Sequence, residues 1–372
     1  MTPAATPALS DDDRLLRKDF PYLDECVYLN TASAGLAWRG QGAAAAAFYD
    51  VAKARGINGM TLWQTSAAEV RERLARHLGV REHEIRFAGS TTEALNLVIG
   101  AVRWQPGDEV VWIADEFPSV TLACESAGRA GATLCPVAAP SEAARVSAII
   151  AALTPATRVV AVSHVHWVTG TRLDLVRLSA ACHAVGAMLV VDGIQAIGAV
   201  PVDLGETDVY CASVFKWLLS GFGLAVLIVR DRVRDDLTPG VRGYNNESPS
   251  TDLHYSHVNY PGLYALAACL SYLETVVGWD AVHRRVRDLT GALAAGLSLG
   301  GFRVITPLEA RAGIVSFAVP DPVAARDALA SDGIYVEARG GLVRVSPHFY
   351  NTSTELTRFI DAVTRIRPRS SL

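Results

Sequence analysis

From about residue 84 onward, short apolar runs alternate with longer segments whose apolar residues recur every three or four positions. The first pattern fits a buried strand and the second an amphipathic helix. EIRFAG (84–89) reads as a strand, and TTEALNLVIGAVRW (91–104) as a helix opened by a Ser/Thr cap, with Glu93 in its first turn. DEVVWIA (108–114), ATLCPV (132–137), RVVAVSHV (158–165) and MLVVDG (188–193) follow as strands, separated by helical segments at 119–131, 141–153 and 177–187. Such alternation predicts an α/β fold built on a mainly parallel sheet covered by helices on both faces.

After Pro249 the pattern changes. Two long helical segments, 259–277 and 279–299, precede shorter strands (GFRVIT, GIVSFAV, GLVRVS) mixed with the helices PVAARDALAS and STELTRFIDAV. This predicts a smaller α+β C-terminal domain with an antiparallel sheet. The expected division is an N-terminal segment, 1–28, packing on the small domain; a large domain, 29–262; and the small domain, 263–372.

Half of the 372 residues are hydrophobic, ample for one large core or two unequal ones. A net charge of −4 without any run of Lys and Arg leaves no electrostatic footprint for nucleic acid. The N-terminus lacks the apolar stretch of a signal peptide, and the longest apolar run, about 221–229, is roughly half of what a bilayer crossing needs. A soluble cytoplasmic protein is the expectation. The six cysteines are scattered without a CxxC pair, which argues against a zinc ribbon or a disulfide framework.

Of the 34 basic residues only Lys18, Lys53 and Lys216 are lysines. Lys216 alone sits in an apolar stretch, VYCASVFKWLLSGFGLAVLIV, where a lysine must be paired, deprotonated or covalently used. Other polar residues fall where strands end, the place where open α/β sheets bind ligands. Ser90, Thr91 and Thr92 stand between a strand and a helix start, suited to a phosphate and equally to a plain N-cap. Asp192 ends its strand, with Gln195 three residues on; a helix cap and a salt bridge to a pyridine nitrogen both fit a carboxylate there.

Asp192, Gln195 and then Ser213-Val214-Phe215-Lys216 in one apolar context resemble the class V aminotransferases, fold-type-I enzymes that use pyridoxal 5'-phosphate (PLP). The resemblance extends through YLNTASAGL (28–36), STTEALNLV, DEFPS, GTRLDL (170–175), VDGIQAIGAVPVDL and SVFKWLL to RVSPHFYNT (344–352). It implies a large PLP-binding domain and a homodimer with active sites at its interface. It also implies that Lys216 is the Schiff-base lysine and proton shuttle, that Asp192 pairs with the pyridine nitrogen and that Gln195 reaches the phenolic oxygen. Thr91, Thr92 and Ser213 would hold the phosphate, and Phe117 would stack on the ring where desulfurases carry His. Arg344 falls where the family binds the substrate α-carboxylate with a bidentate fork, and a structural ion pair is its other reading. Asn30 lies in the segment lining the substrate side.

Three departures stand out. Phe215 occupies the place of a phosphate-contacting His. Where many members have Asn near the phenolic oxygen, this chain reads His164-Val165-His166-Trp167; any of His164, His166 and Trp167 could face the cofactor, and His166 is the one expected on the substrate side. The family's partner-subunit loop appears as Ser256-His257-Val258-Asn259, so Ser256 and His257 are expected to reach the phosphate across the dimer. His164 and His166 face one way on a strand, but no third metal ligand with suitable spacing is evident, and no metal is expected.

Persulfide-forming desulfurases need a cysteine shortly before the carboxylate-binding arginine, and no cysteine follows Cys269 here. β-Elimination from a cysteine S-conjugate or a related amino acid is therefore favoured. Transamination or oxidative deamination, epimerisation at Cα, and chemistry in a natural-product pathway are the alternatives. Arg172, Arg242 and Arg339 are candidates for a second anion site, with solvated or structural arginine as the competing reading. A binding protein that kept the fold and lost catalysis is the alternative outside the enzymes.

Overall fold

A strand buried on both faces must be apolar at every position, because successive residues point to opposite sides. The computed structural model, which describes residues 17–247 and 250–366, shows this directly. Residues 1–16 of the expected N-terminal segment lie outside the described residues, as do 367–372 of the expected small domain. Eight strands precede residue 260: β1 (Val27–Tyr28), β2 (Ile85–Ala88), β3 (Glu109–Ile113), β4 (Thr133–Val137), β5 (Thr157–Ser163), β6 (Met188–Asp192), β7 (Val209–Ser213) and β8 (Ala225–Val229). The last seven form one sheet in the order β2-β8-β7-β6-β5-β3-β4. Only β8 is antiparallel to its neighbours. Val111, Ile113, Val160, Val162, Leu189 and Val191 enter the core on one face, and Val110, Trp112, Val159, Ala161 and Val190 the core on the other. The two-residue period thus divides one sheet between two apolar layers.

The helix Thr91–Ile99 begins where expected but stops at Gly100, short of 104. Beyond it Val102 leaves to bridge Leu237, and the Ala101 carbonyl accepts from Thr238 N–H. A backbone pairing to a distant segment outcompetes the local helical pattern there.

Asn259 caps the next long helix, Tyr260–Ser271, by accepting from Gly262 N–H at 3.0 Å. Its Leu263, Leu266 and Leu270 pack in the core of the large sheet. After a π-helical turn, Tyr272–Val277, Gly278 takes φ +83° and the chain swings by 80° into the helix Trp279–Leu299. That helix contributes Leu289, Leu293 and Leu297 to a separate core with Phe317, Val343 and Phe359. Around this core lie β9 (Arg303–Val304), β10 (Val315–Ala318), β11 (Ile334–Tyr335), β12 (Glu337–Arg339) and β13 (Leu342–Val345). Four of these form an antiparallel sheet, β12-β13-β10-β9. β1 pairs in parallel with β11, so Val27 and Leu29 also belong to this C-terminal core. Among the described residues no single helix is long and apolar enough to cross a membrane.

Lys216 stands on the connection between β7 and β8, closed by the pair Ser213↔Ala225. Leu219 in that connection has φ +57°, alone among the described non-glycine residues in the left-handed region. Such strain costs roughly 1–3 kcal/mol and persists only where the surroundings fix it. Two contacts do so. Gly35 N–H donates to the Phe215 carbonyl at 3.0 Å, and a Cβ on Gly35 would lie 2.0 Å from the Lys216 carbonyl oxygen. From the C-terminal side, the His348 ring is fully buried, with Nδ1 accepting from Phe349 N–H at 2.8 Å. The proton must therefore sit on Nε2, which donates to the Trp217 carbonyl at 3.0 Å. Burial pulls the His348 imidazole down to about 3, and the same cause takes His164 to about 3.

Two expectations follow. Gly35→Ala should cost about 1–3 kcal/mol by overpacking, read as a lower melting temperature of the apoprotein. A variant that melts as the wild type does would show that the close approach to Lys216 is not a constraint. The second concerns acid. His164 and His348 have folded pKa values depressed below the ordinary 6.5, so their contribution is fully present above that value and is lost as pH falls toward 3. Linkage puts the loss at about 2 kcal/mol per histidine by pH 5. Denaturation curves between pH 7.5 and 5 should show a shallower acid decline for His348→Gln than for wild type; equal slopes would contradict this.

Candidate active site

Several chain segments end around one cavity of about 220 Å³ at the carboxyl ends of the parallel strands. At one end lies the start of the helix Thr91–Ile99. Ser90 caps it, its Oγ accepting from Glu93 N–H at 3.1 Å. Thr91 and Ser213 are cross-linked: Thr91 N–H donates to Ser213 Oγ, and Ser213 N–H to Thr91 Oγ1, each at 2.8 Å. Thr92 Oγ1 lies 2.7 Å from Ser119 Oγ. Hydroxyls gathered at the positive end of a helix form a cup for an anion such as a phosphate.

At the base is Asp192, the buried last residue of β6, with Ser163 opposite it on β5. Its Oδ1 accepts from Ile194 N–H at 2.9 Å. Burial pushes the carboxyl up to about 6, against the pull of Lys216. Lys216 lines the same cavity, and burial, reinforced by the charge of Arg344 and opposed by that of Asp192, brings its ammonium down to about 8. No ion pair involves Lys216 among the described residues, so its amine is free for chemistry. Gln195 is held at both ends: Nε2 donates to the Ala32 carbonyl at 3.0 Å, and Oε1 accepts from Trp217 Nε1 at 2.9 Å. Its second amide hydrogen is left for a ligand.

An aromatic wall closes one side. Phe117, 37% exposed, meets Trp167 edge-to-face at 5.4 Å. Trp167 Nε1 donates to the Asp115 carbonyl at 3.2 Å, and His166 Nε2 lies 3.1 Å from the same oxygen. His166 Nδ1 is taken by Thr169 Oγ1 at 2.9 Å. Of the three candidates in this segment, Trp167 lines the cavity; His166 and His164 are buried beside it with partners of their own. Asp115, Glu142 and His166 do come close together, a cluster that sequence spacing did not suggest. Arg145, itself buried, already forks across both carboxylates at 2.6 to 2.8 Å, which accounts for their charge without a metal.

Arg344 on β13 is only 3% exposed and has no carboxylate partner among the described residues. Nη1 donates to the Trp167 carbonyl and Nη2 to Ser33 Oγ, both at 2.8 Å, and Nε has no partner. Burial lowers its pKa to about 10. Asn30, whose backbone bridges Ser346, likewise has a buried Oδ1 without a partner. Ser256 and His257 lie outside the cavity lining: both meet the Tyr244 hydroxyl, through Ser256 Oγ at 3.2 Å and His257 N–H at 2.8 Å, and His257 is exposed.

Sequence reasoning missed Ser163, Ser119, Ile194, Ser33 and Trp217. Ser163 was within reach, since it ends a strand beside Asp192. The others lie in the segments DEFPS, VDGIQ, YLNTASAGL and SVFKWLL that carried the resemblance, but nothing in those segments singled them out.

The donor set fits PLP. An uncommitted buried amine, a carboxylate opposite it, a hydroxyl cup and an aromatic lid match the aldehyde, pyridine nitrogen, phosphate and ring face of that cofactor.

A family model described as "Aminotransferase class-V" matches residues 43–359. The isopenicillin N epimerase of Amycolatopsis lactamdurans is 30% identical, over 79% of this chain and 83% of its own length. A probable cysteine desulfurase of Methanothermobacter thermautotrophicus is 28% identical, over 92% and 94%. The cystine C-S lyase C-DES, in complex with cysteine persulfide, superposes with a TM-score of 0.87 at 22% identity, over 94% of this chain and all of that one. The apo cysteine desulfurase of Thermococcus onnurineus NA1 does so with a TM-score of 0.85 at 24% identity, over 98% and 99%. At such identities the structures speak for the fold alone, and that fold is the fold-type-I architecture expected. With most of its length matched by the family model, the chain belongs to the class V aminotransferases, enzymes that depend on pyridoxal phosphate.

Proposed function

We propose that this enzyme catalyses β-elimination from a cysteine S-conjugate or a related small amino acid, as a C–S lyase. The carrying observation is the buried Arg344 guanidinium, which bonds the Trp167 carbonyl and Ser33 Oγ without a carboxylate in hydrogen-bond reach and is tied through the Trp167 backbone to the cavity that holds Lys216 and Asp192. In this reading Lys216 carries the cofactor and Asp192 holds the pyridine nitrogen. Gln195 meets the phenolic oxygen, Thr91, Thr92 and Ser213 cradle the phosphate, and Phe117 covers the ring. When bound, PLP supplies an electron sink for charge developing at Cα.

Arg344 grips the α-carboxylate and fixes which Cα bond faces the sink, with Asn30 alongside. Lys216 Nζ takes the Cα proton; a depressed pKa leaves a substantial neutral fraction near neutral pH, as a general base requires. The sulfur then leaves Cβ with the bonding pair and takes up a proton. Trp167 and Phe117 keep bulk water from the reacting carbon.

Two observations favour elimination over the alternatives. No cysteine lines the cavity, and five of the six are buried, so no thiol stands ready to accept sulfur as a persulfide. Apart from hydroxyls, Lys216 and Asp192 are the cavity's titratable groups, so a second base on the opposite face, as two-base epimerisation would need, is missing from the lining. One amine acting on one face suits elimination.

The phosphate cup contains hydroxyls and, at Phe215, a ring stacked 4.4 Å from Phe222, but no guanidinium or imidazole. We propose a homodimer in which Ser256 and His257 of the partner subunit complete it. Within one protomer the Tyr255 hydroxyl donates to Glu93 at 2.8 Å, and Ser256 and His257 stay outside that protomer's own cavity lining. Light scattering together with cofactor affinity in His257→Ala would test this placement.

Holoenzyme mixed with a panel of cysteine S-conjugates should release thiol, ammonia and pyruvate in equal amounts, and Lys216→Ala should lose both the visible cofactor band and turnover. Conversion of the cofactor to its amine form, or recovery of the inverted amino acid, would replace elimination by transamination or epimerisation. Activity in Lys216→Ala would remove the central assignment.

Arg344→Lys should reduce kcat/KM about 30-fold or more, equivalent to about 2–5 kcal/mol for one buried charge pair, mainly through KM and with the cofactor spectrum intact. Lower thermal stability with normal kinetics in the surviving enzyme would mark Arg344 as structural instead.

A further inference from the structure

β12 and β13 form a hairpin through Gly340 and Gly341, at φ +54° and +74°. Its register pairs Glu337 with Arg344, Ala338 with Val343, and Arg339 with Leu342. Paired residues in an antiparallel ladder share a face, and so do residues two apart. Glu337, Arg339, Leu342 and Arg344 therefore stand on one face, while Val343 and Val345 point into the C-terminal core. The face with the arginines meets the active site. Arg344 Nη1 donates to the Trp167 carbonyl, and a Cβ on Gly340 would come within 2.9 Å of Val168 Cγ1. The hairpin tip is thus seated on the segment that supplies the aromatic wall.

Arg339 and Arg344 are diagonal neighbours on that face, a relation that places the two residues roughly 7–8 Å apart. Their environments differ. Arg344 is buried, whereas the Arg339 side chain is 50% exposed. Its carboxylate neighbour Glu337 is 3.6 Å away and also pairs with Arg326 at 3.7 Å. Such a long, half-exposed pair holds its arginine weakly. Arg339 is also near enough for its charge to oppose protonation of both Lys216 and Arg344. Arg339 and Arg344 thus share the hairpin face that adjoins the Trp167 segment of the site, whereas an amino acid's α-carboxylate engages only Arg344.

We infer that Arg339 is a second anion-binding group of this site and that the preferred substrate is an amino acid whose side chain ends in an anion, such as a cysteine carrying a carboxylate beyond its sulfur. This rests on the reading of Arg344 as the α-carboxylate fork. Arg339 selects among substrates by the far end of the side chain and takes no part in bond breaking.

The test uses holoenzyme and two probes differing in one charge, S-carboxymethyl-L-cysteine and its neutral isostere S-carbamoylmethyl-L-cysteine. Binding is read from the change in the cofactor's visible spectrum. The acid should bind at least tenfold more tightly than the amide. Arg339→Gln should bring that ratio close to one by weakening the acid, and Arg339→Lys should restore part of it. Equal affinities in wild type, or equal losses for both probes in Arg339→Gln, would overturn the inference. If both probes bind with the expected ratio but release no thiol, the elimination reading fails and the role of Arg339 stands. If neither perturbs the spectrum, the amino-acid reading fails and Arg339 loses its role with it.

Discussion

Lys216 and Asp192 carry opposite charges, line one cavity, and are joined by no ion pair among the described residues. Each is desolvated, and each responds by moving toward neutrality, the amine down and the carboxyl up. Two buried charges that could pair usually do, so holding them apart requires a rigid frame. Asp192 is fixed by the middle of a sheet apolar on both faces, at a strand end where its neighbours are Ser163 and Cys211. Lys216 is fixed on a connection strained at Leu219 and clamped from two sides. The space between them is where a cofactor with a cationic ring nitrogen and an aldehyde belongs.

The clamps come from both ends of the chain. Gly35 and Ala32 approach from the N-terminal side, meeting the Phe215 backbone and Gln195. His348 approaches from the C-terminal side and holds the Trp217 carbonyl, while the Trp217 indole orients Gln195. The same C-terminal stretch carries Arg344, whose fork reaches Ser33 and the Trp167 backbone. β1 pairs with β11, and Val27 and Leu29 share a core with Val343 and Val345, the neighbours of Arg344.

The aromatic wall shows how polar groups behind a site set its shape. Trp167 reaches the cavity because its indole and the His166 ring share the Asp115 carbonyl. Asp115 is braced in turn by Arg145, which also holds Glu142, the acceptor for Thr169 and Thr171. Arg145 and His166 are buried while Asp115 is exposed and Glu142 partly so, and the shared hydrogen bonds of this network favour one arrangement of the wall.

The alternating pattern of apolar runs and helical segments specified the α/β sheet, because strands buried on both faces leave an unmistakable composition. Asp192, Gln195, Ser213 and Lys216, singled out through a family resemblance, line one cavity because they lie on adjoining strand ends and the turn that follows. Lys216 was conspicuous on its own: a lone lysine among apolar residues demands an explanation. Tertiary structure decided the rest. Residues 164–167 read as an undivided choice between two histidines and a tryptophan, and only packing against Asp115 and Thr169 turned His166 aside and Trp167 inward. Arg344 was visible as an arginine between valines, but its bonds to Ser33 and the Trp167 carbonyl depend on distant segments. The helix begun at Thr91 ended early because Val102 found a partner at Leu237. Periodicity tells which face of an element is buried; which cavity a side chain enters depends on elements brought together from far along the chain.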